Sequence, residues 1–208
     1  MVKYRPLLVV NTEGKTRQFE SKAFVLADDL RQSDRTPLQL RSLDGLDQFL
    51  NLYEPVEMHI AVTRFYEQSF KSFVIDLDSS PSMGIGTVFD FAKGFGEYIS
   101  GKPFVKGVRI LFTGNRGFHI HVELVSRASS AEVSSMFTSF AAYPHPFIGT
   151  LDSNVIRIGH FIRMPFSWNR KGKKFSFYVD NLDEFNSDIA QYFSCKLYSS
   201  LTGESCEL

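Results

Sequence analysis

Two stretches alternate with a period of two, and both set charged or imidazole groups against an apolar face. In Ser72–Asp78 (SFVIDLD), Phe73, Ile75 and Leu77 take one face while Asp76 and Asp78 take the other. In Val108–Leu124 (VRILFTGNRGFHIHVEL), two strands flank the turn Gly114-Asn115-Arg116-Gly117. The second strand puts Phe118, Ile120 and Val122 opposite His119 and His121. Such a hairpin is either a wet sheet face beside an ordinary turn, or a place that holds an anion. Two glycines let a turn aim successive N–H groups at one spot, and an arginine there suits phosphate oxygens.

The rest of the chain mixes strands and helices without strict alternation. Leu43–Tyr53 has helical spacing and ends before Pro55. EMHIAVTRF alternates like a strand, and Gly86–Ser100 reads as a helix loosened by Gly94 and Gly96. SSAEVSSMFTSFAAY reads as a helix with a capping box from Ser129 to Glu132. NVIRIG and KFSFYVD read as strands, LDEFNSDIAQYF as a closing helix, and the first ~40 residues give no clear pattern. This order predicts an α+β fold with antiparallel pairs rather than a doubly wound parallel sheet.

The 21 phenylalanines predict an aromatic core. Cys195 and Cys206 lack metal-site spacing and indicate no disulfide framework, so a reducing, intracellular setting is expected. No apolar run reaches the ~18 residues of a membrane span, and the N-terminal run is short for a signal peptide. A soluble protein with no membrane partner is expected. The formal net charge is zero, yet residues 101–175 hold 11 basic and 3 acidic side chains. That segment is either a solvated basic face or a footprint for phosphates.

Three stretches carry candidate chemistry. Asp76 and Asp78 repel each other on one strand face unless water or a cation lies between them, and a hard divalent ion takes such oxygen ligands. The same pair also suits a strand end opening into the turn of Ser79, Ser80 and Pro81. The glycine hairpin follows. Then comes Leu151–Lys174 (LDSNVIRIGHFIRMPFSWNRKGKK), with Asp152, then Arg163, Ser167, Arg170, Lys171, Lys173 and Lys174, interrupted by the rigid apolar Met164-Pro165-Phe166.

In this order the motifs VIDLD, TGNRGFH, LD and IRMPFSWNRKG resemble the archaeo-eukaryotic primase superfamily, and most closely its small catalytic subunits. That family carries hhDhD, SGxxGxH, a third Asp and a segment like LRxPxSxHxKxG. The resemblance spans roughly Ile60 to Lys174, and AVTRFYEQSFKSFVIDLD is similar to the family's approach to its first motif.

The resemblance implies a single catalytic domain over residues 1–208, with an N-terminal lobe to about residue 70 and an RRM-like antiparallel sheet with flanking helices beyond it. It implies a primase or primase-polymerase that transfers nucleotides from NTPs or dNTPs on a single-stranded DNA template. Asp76, Asp78 and Asp152 would hold two Mg²⁺ or Mn²⁺ ions. Thr113, Arg116, Gly117, His119, Arg163, Ser167, Asn169 and Lys171 would hold the triphosphate. Lys106, Arg170, Lys173 and Lys174 remain for template phosphates, and a helicase or a primase large subunit is a compatible partner. His121 has no family role and reads as structural.

The chain departs from the family at Thr113, where serine is usual, and at Asn169, where histidine is usual. The two late cysteines also cannot build the family's zinc module, so no structural zinc is expected. Two other readings stay open. One is a metal-dependent nuclease or phosphohydrolase using Asp76, Asp78, His119 and His121 as ligands. The other is a non-catalytic subunit binding nucleic acid through the basic segment.

Overall fold

The computed structural model describes the backbone of residues 5–11, 16–21, 24–26, 38–40 and 55–61. It also describes residues 69–79, 83–140, 142–143, 161–163, 165–169, 171–202 and 205–206. The helix expected over Leu43–Tyr53 and the strand expected at NVIRIG lie outside these residues, as do Asp152 and Arg170.

The chain is a mixed α+β structure built on antiparallel pairing. The N-terminal stretch that gave no pattern supplies strands β1 (Arg5–Asn11), β2 (Thr16–Ser21), β3 (Phe24–Leu26) and β4 (Leu38–Leu40). With β5 (Pro55–Ala61) and β9 (Phe161–Arg163) they form a six-stranded sheet ordered β4-β3-β2-β1-β5-β9. β9 comes from far beyond residue 70 and pairs with β5, His59 opposite Arg163.

The second sheet is ordered β12-β7-β8-β6, from β6 (Ser69–Asp78), β7 (Val105–Phe112), β8 (Gly117–Ser129) and β12 (Phe177–Tyr178). Its register aligns Ile75, Ile120 and Ile110, and aligns Leu77, Phe118 and Phe112. All six are buried. Helix α1 (Ile85–Ser100) lays Val88, Phe89, Ala92, Phe95 and Ile99 into the same core. Rings bridge the layers, with Phe89 against Phe118 at 5.8 Å and Phe112 against Phe185 at 5.0 Å between centroids. Each such ring contributes on the order of 1.5–3 kcal/mol when removed from water. This is where the high phenylalanine content goes.

Glycine in α1 has a packing reason. A Cβ on Gly94 would come within 2.8 Å of the Tyr143 hydroxyl. Helix α2 (Ser130–Phe140) starts with the predicted capping box: the Ser129 N–H and hydroxyl both donate to Glu132 Oε2 at 2.7 Å, and the Glu132 N–H returns to Ser129 Oγ at 3.3 Å.

Three expectations are corrected. KFSFYVD is not one strand. It splits into β11 (Lys174–Phe175), paired with β10 (Trp168–Asn169), and β12 on the second sheet. The split falls at Ser176, whose N–H and hydroxyl both turn back to Ser167 O. The closing helix α3 runs over Ser187–Thr202, later than LDEFNSDIAQYF suggested. Asn186 Oδ1 accepts from the N–H groups of Asp188 and Ile189 and so sets the start. Finally, Cys195 and Cys206 are joined in a disulfide across 11 residues, tying the chain's end to α3. A pair that close in sequence needs no framework of several bridges, which is why counting cysteines did not reveal it. Among the described residues, no helix is long and apolar enough to cross a membrane.

Candidate active site

The face of the second sheet opposite the core carries the candidate residues in rows set by strand register. One row crosses Asp76, His119 and Leu111, and continues to Tyr178 on β12. The next row toward the hairpin turn pairs Asp78 with Gly117. The next row away pairs Val74 with His121 and Arg109. His119 is buried, and its Nε2 lies 3.6 Å from Asp76 Oδ1. Asp78 is exposed at the strand end.

Gly117 makes room for that carboxylate. A Cβ there would come within 2.6 Å of Leu77 O and 2.8 Å of Asp78 Oδ1. Gly117 O also accepts from both the N–H and the hydroxyl of Thr113, each at 3.0 Å. Thr113 is buried and its hydroxyl proton closes the hairpin. The turn it closes uses Gly114 at φ +82° and leaves the side chains of Asn115 and Arg116 exposed. Among the described residues Arg116 has no ion pair, so its guanidinium is open to an anion from solvent.

The third segment reaches the same end of the sheet through direct backbone contact. A Cβ on Gly172 would lie 1.9 Å from Gly114 O and 2.5 Å from Asn115 Cα. The two turns therefore touch main chain to main chain. Asn169 fastens them. Its Nδ2 donates to Thr113 O at 2.8 Å, and its Oδ1 accepts from the N–H groups of Lys171 and Gly172 at 3.0 and 3.1 Å. Its backbone oxygen accepts from the Lys173 N–H at 2.7 Å. The N–H groups of Lys171, Gly172 and Lys173 thus point at Asn169, and an anion there would be met by side chains. Lys171 and Lys173 are exposed. Sequence reasoning assigned Asn169 to the triphosphate. Its available signal for this clasp was an asparagine three residues before a glycine, a side chain that bonds backbone N–H groups just ahead of it.

Arg163 Nη1 donates to Trp168 O at 3.1 Å, holding the bend between β9 and β10. Ser167 is buried, and its N–H donates to Ser176 Oγ at 3.2 Å. Lys106 is not brought to this cluster. It pairs with Glu123 at 2.8 Å near the opposite end of β7, about 20 Å of strand from the turn. Asp152 and Arg170 have no described position. Among the described residues, no three His, Cys, Asp or Glu side chains form a metal-sized cluster.

His121 packs its ring edge-on to Tyr178 at 5.8 Å, and among the described residues its buried Nε2 has no hydrogen-bond partner. Burial first, and Arg109 second, lower its pKa from 6.5 to about 4. The folded state thus favours neutral His121. The stability this gives is full above pH 6.5 and is lost as pH falls through about 4. The loss approaches roughly 3 kcal/mol. In thermal melts across pH 7 to 3.5, His121→Phe is expected to show a shallower acid decline than the wild type. Parallel declines would remove His121 as the cause.

No family model matches this sequence, and no curated protein matches it. Solved structures do. The polymerase domain of Mycobacterium tuberculosis ligase D, in complex with DNA, aligns with a TM-score of 0.61 and 14% identity, over 99% of this chain and 87% of that one. The AEP domain of the cyanophage S-2L primase-polymerase aligns at 0.48 and 10%, over 93% and 90%, a level too low to add weight. The resemblance read from the motifs therefore holds at the level of the fold.

Proposed function

We propose that this chain is a template-directed nucleotidyltransferase, which makes primers or extends strands on single-stranded DNA from nucleoside triphosphates. One observation carries the reading. Three motifs distant in sequence meet at one end of one sheet: the carboxylates of Asp76 and Asp78, the Arg116 turn, and the Lys171–Lys173 turn locked against it. Carboxylates beside open cations is the arrangement that phosphoryl transfer needs. In this reading the β12-β7-β8-β6 sheet is the RRM-like catalytic floor, and no zinc module is required.

Divalent magnesium or manganese suits Asp76 and Asp78, which offer hard oxygen donors on one face with Asp78 open to solvent. Asp152 would complete the set. When bound, such ions lower the pKa of an attacking hydroxyl and neutralise charge on the departing pyrophosphate. The protein's own groups do the positioning. His119 touches the phosphates from beside Asp76, while Arg116, Arg163 and Lys171 supply charge to the triphosphate. Thr113, Ser167 and Asn169 keep those groups in register. Lys173 and Lys174, with Arg170, take template phosphates. The hydrolase reading is weaker because it needs His121 as a ligand, and that ring is packed edge-on to Tyr178 in the register row of Val74, one row beyond Asp76.

The test is synthesis on single-stranded DNA with labelled NTPs and dNTPs, with and without a primer, in Mg²⁺ and in Mn²⁺. Template-dependent incorporation is expected. Template degradation without synthesis would establish the hydrolase instead. Within that assay His119→Ala is expected to raise nucleotide KM roughly tenfold to a hundredfold, the worth of a hydrogen bond to a charged group. His121→Phe should stay within about threefold of wild type. Equal losses from both would contradict the assignment.

A further inference from the structure

Phe166 is a large apolar side chain left 49% exposed, between Pro165 and a serine that is only 1% exposed. Its φ is 63°. A proline followed by a residue at positive φ is the arrangement that type II turns fill with glycine or asparagine, and a bulky residue there is strained. The turn is pinned on both sides: the Phe166 N–H donates to Ser176 O at 2.8 Å, and the Ser176 N–H to Ser167 O at 2.9 Å. The chain thus holds a phenylalanine where the backbone favours glycine, and does not bury it. Strain of this kind persists where a side chain serves something beyond the fold.

The ring stands on a rigid base. It meets Tyr178 edge-on at 6.3 Å. The Arg109 guanidinium lies 3.4 Å over the Tyr178 ring and is itself held by Asp180, its Nε to Oδ2 at 3.1 Å. His121 also packs against Tyr178, at 5.8 Å between centroids. Nearby in sequence, Lys171 and Lys173 are exposed and make no ion pair among the described residues. An exposed aromatic on the same hairpin as open cations, Phe166 at its base and Lys171 and Lys173 at its tip, suits a single strand: charge follows the backbone and the ring takes a base.

We propose that Phe166 is a stacking platform for an unpaired base of single-stranded DNA. The proposal rests on the reading of the chain as an enzyme of single-stranded templates. A base of the incoming nucleotide is the less suitable occupant. Tyr178, on which Phe166 stands, is on β12, three strand spacings from Asp76 on β6, or about 14 Å. That span exceeds a nucleotide whose reacting phosphate lies at the carboxylates, whereas a template strand crosses it easily.

The experiment measures binding of a fluorescent single-stranded oligonucleotide without metal or nucleotide, so it stands apart from synthesis. Phe166→Gly is expected to bind about five- to a hundredfold more weakly, the range for one lost base stack. Its melting temperature should be unchanged or higher, because glycine suits the positive φ. Phe166→Tyr, which keeps a ring, should bind like wild type. An oligonucleotide with a run of abasic sites should weaken wild-type binding and leave Phe166→Gly almost unaffected. If Phe166→Gly binds both oligonucleotides as wild type does, the platform does not exist. If it leaves DNA binding intact but raises nucleotide KM, the occupant is the nucleotide and the proposal is overturned. A wild-type chain that makes no product yet shows the Phe166-dependent stack would fail the proposed function alone.

Discussion

Asp76→Ala and Asp78→Ala are each expected to cut nucleotide incorporation by about a thousandfold or more, with the fold intact. Losing one carboxylate from a two-ion site forfeits several kcal/mol of transition-state stabilisation, and each ~1.4 kcal/mol is tenfold in rate. Asp78 is exposed at the end of β6, so its truncation leaves the core untouched. Asp76 is half-buried beside His119, so Asp76→Asn is the gentler probe. It keeps the volume and one oxygen while removing the charge. DNA binding measured without metal should persist in all three variants, since basic side chains and Phe166 carry it. Steady-state incorporation at saturating Mg²⁺ and Mn²⁺, beside thermal melts, decides the matter. Either alanine variant working near the wild-type rate would end the two-ion assignment.

The sheet that carries the site was legible because one face is buried. Alternation in Ser72–Asp78 and in the hairpin fixes which side chains share a face, since a one-residue slip would expose Phe73, Ile75 and Leu77. The pairing of Asp76 with His119 then follows from register, but register is a property of two strands and cannot be read from either alone. β1 was hidden because its apolar run Leu7-Leu8-Val9-Val10 does not alternate, and β3 and β4 because three residues offer too few repeats for a period to emerge. KFSFYVD alternates well yet bends at Ser176, because contacts with Ser167 outweigh local preference. Motif letters picked out segments that meet in space, without distinguishing groups open to a ligand from groups that hold the turns. Thr113 and Asn169 sit where a ligand-binding hydroxyl and imidazole were expected, and both spend hydrogen bonds on the backbone that shapes the two turns. Only the tertiary contact of Gly172 with Gly114 reveals why.

That contact supports the second large expectation: Gly172→Ala should lower kcat/KM for the nucleotide about a hundredfold and destabilise the protein by roughly 2–4 kcal/mol. The added Cβ would sit 1.9 Å from Gly114 O and 2.5 Å from Asn115 Cα, both main-chain atoms that no rotamer change can move away. Ordinary contact needs about 1.5 Å more separation, so the two turns must part. Parting them lengthens the 2.8 Å bond from Asn169 Nδ2 to Thr113 O and leaves buried groups unpaired, at about 1–3 kcal/mol each. It also moves Lys171 relative to Arg116, and a misplacement of about 1 Å in groups that position a substrate costs on the order of a hundredfold. Gly107→Ala is the control. Its Cβ would meet nothing within 4 Å, so melting temperature and kinetics should match wild type. Should Gly172→Ala unfold, Asn169→Asp separates the effects. It keeps an oxygen for the Lys171 and Gly172 N–H groups but replaces the donor to Thr113 O with an acceptor. The basic turn should survive while its tie to the hairpin is cut, raising nucleotide KM with a smaller change in melting temperature. Nucleotide titrations of the three variants are the measurement. If Gly172→Ala proves indistinguishable from Gly107→Ala, the turns are not locked together and the proposed triphosphate site does not depend on their contact.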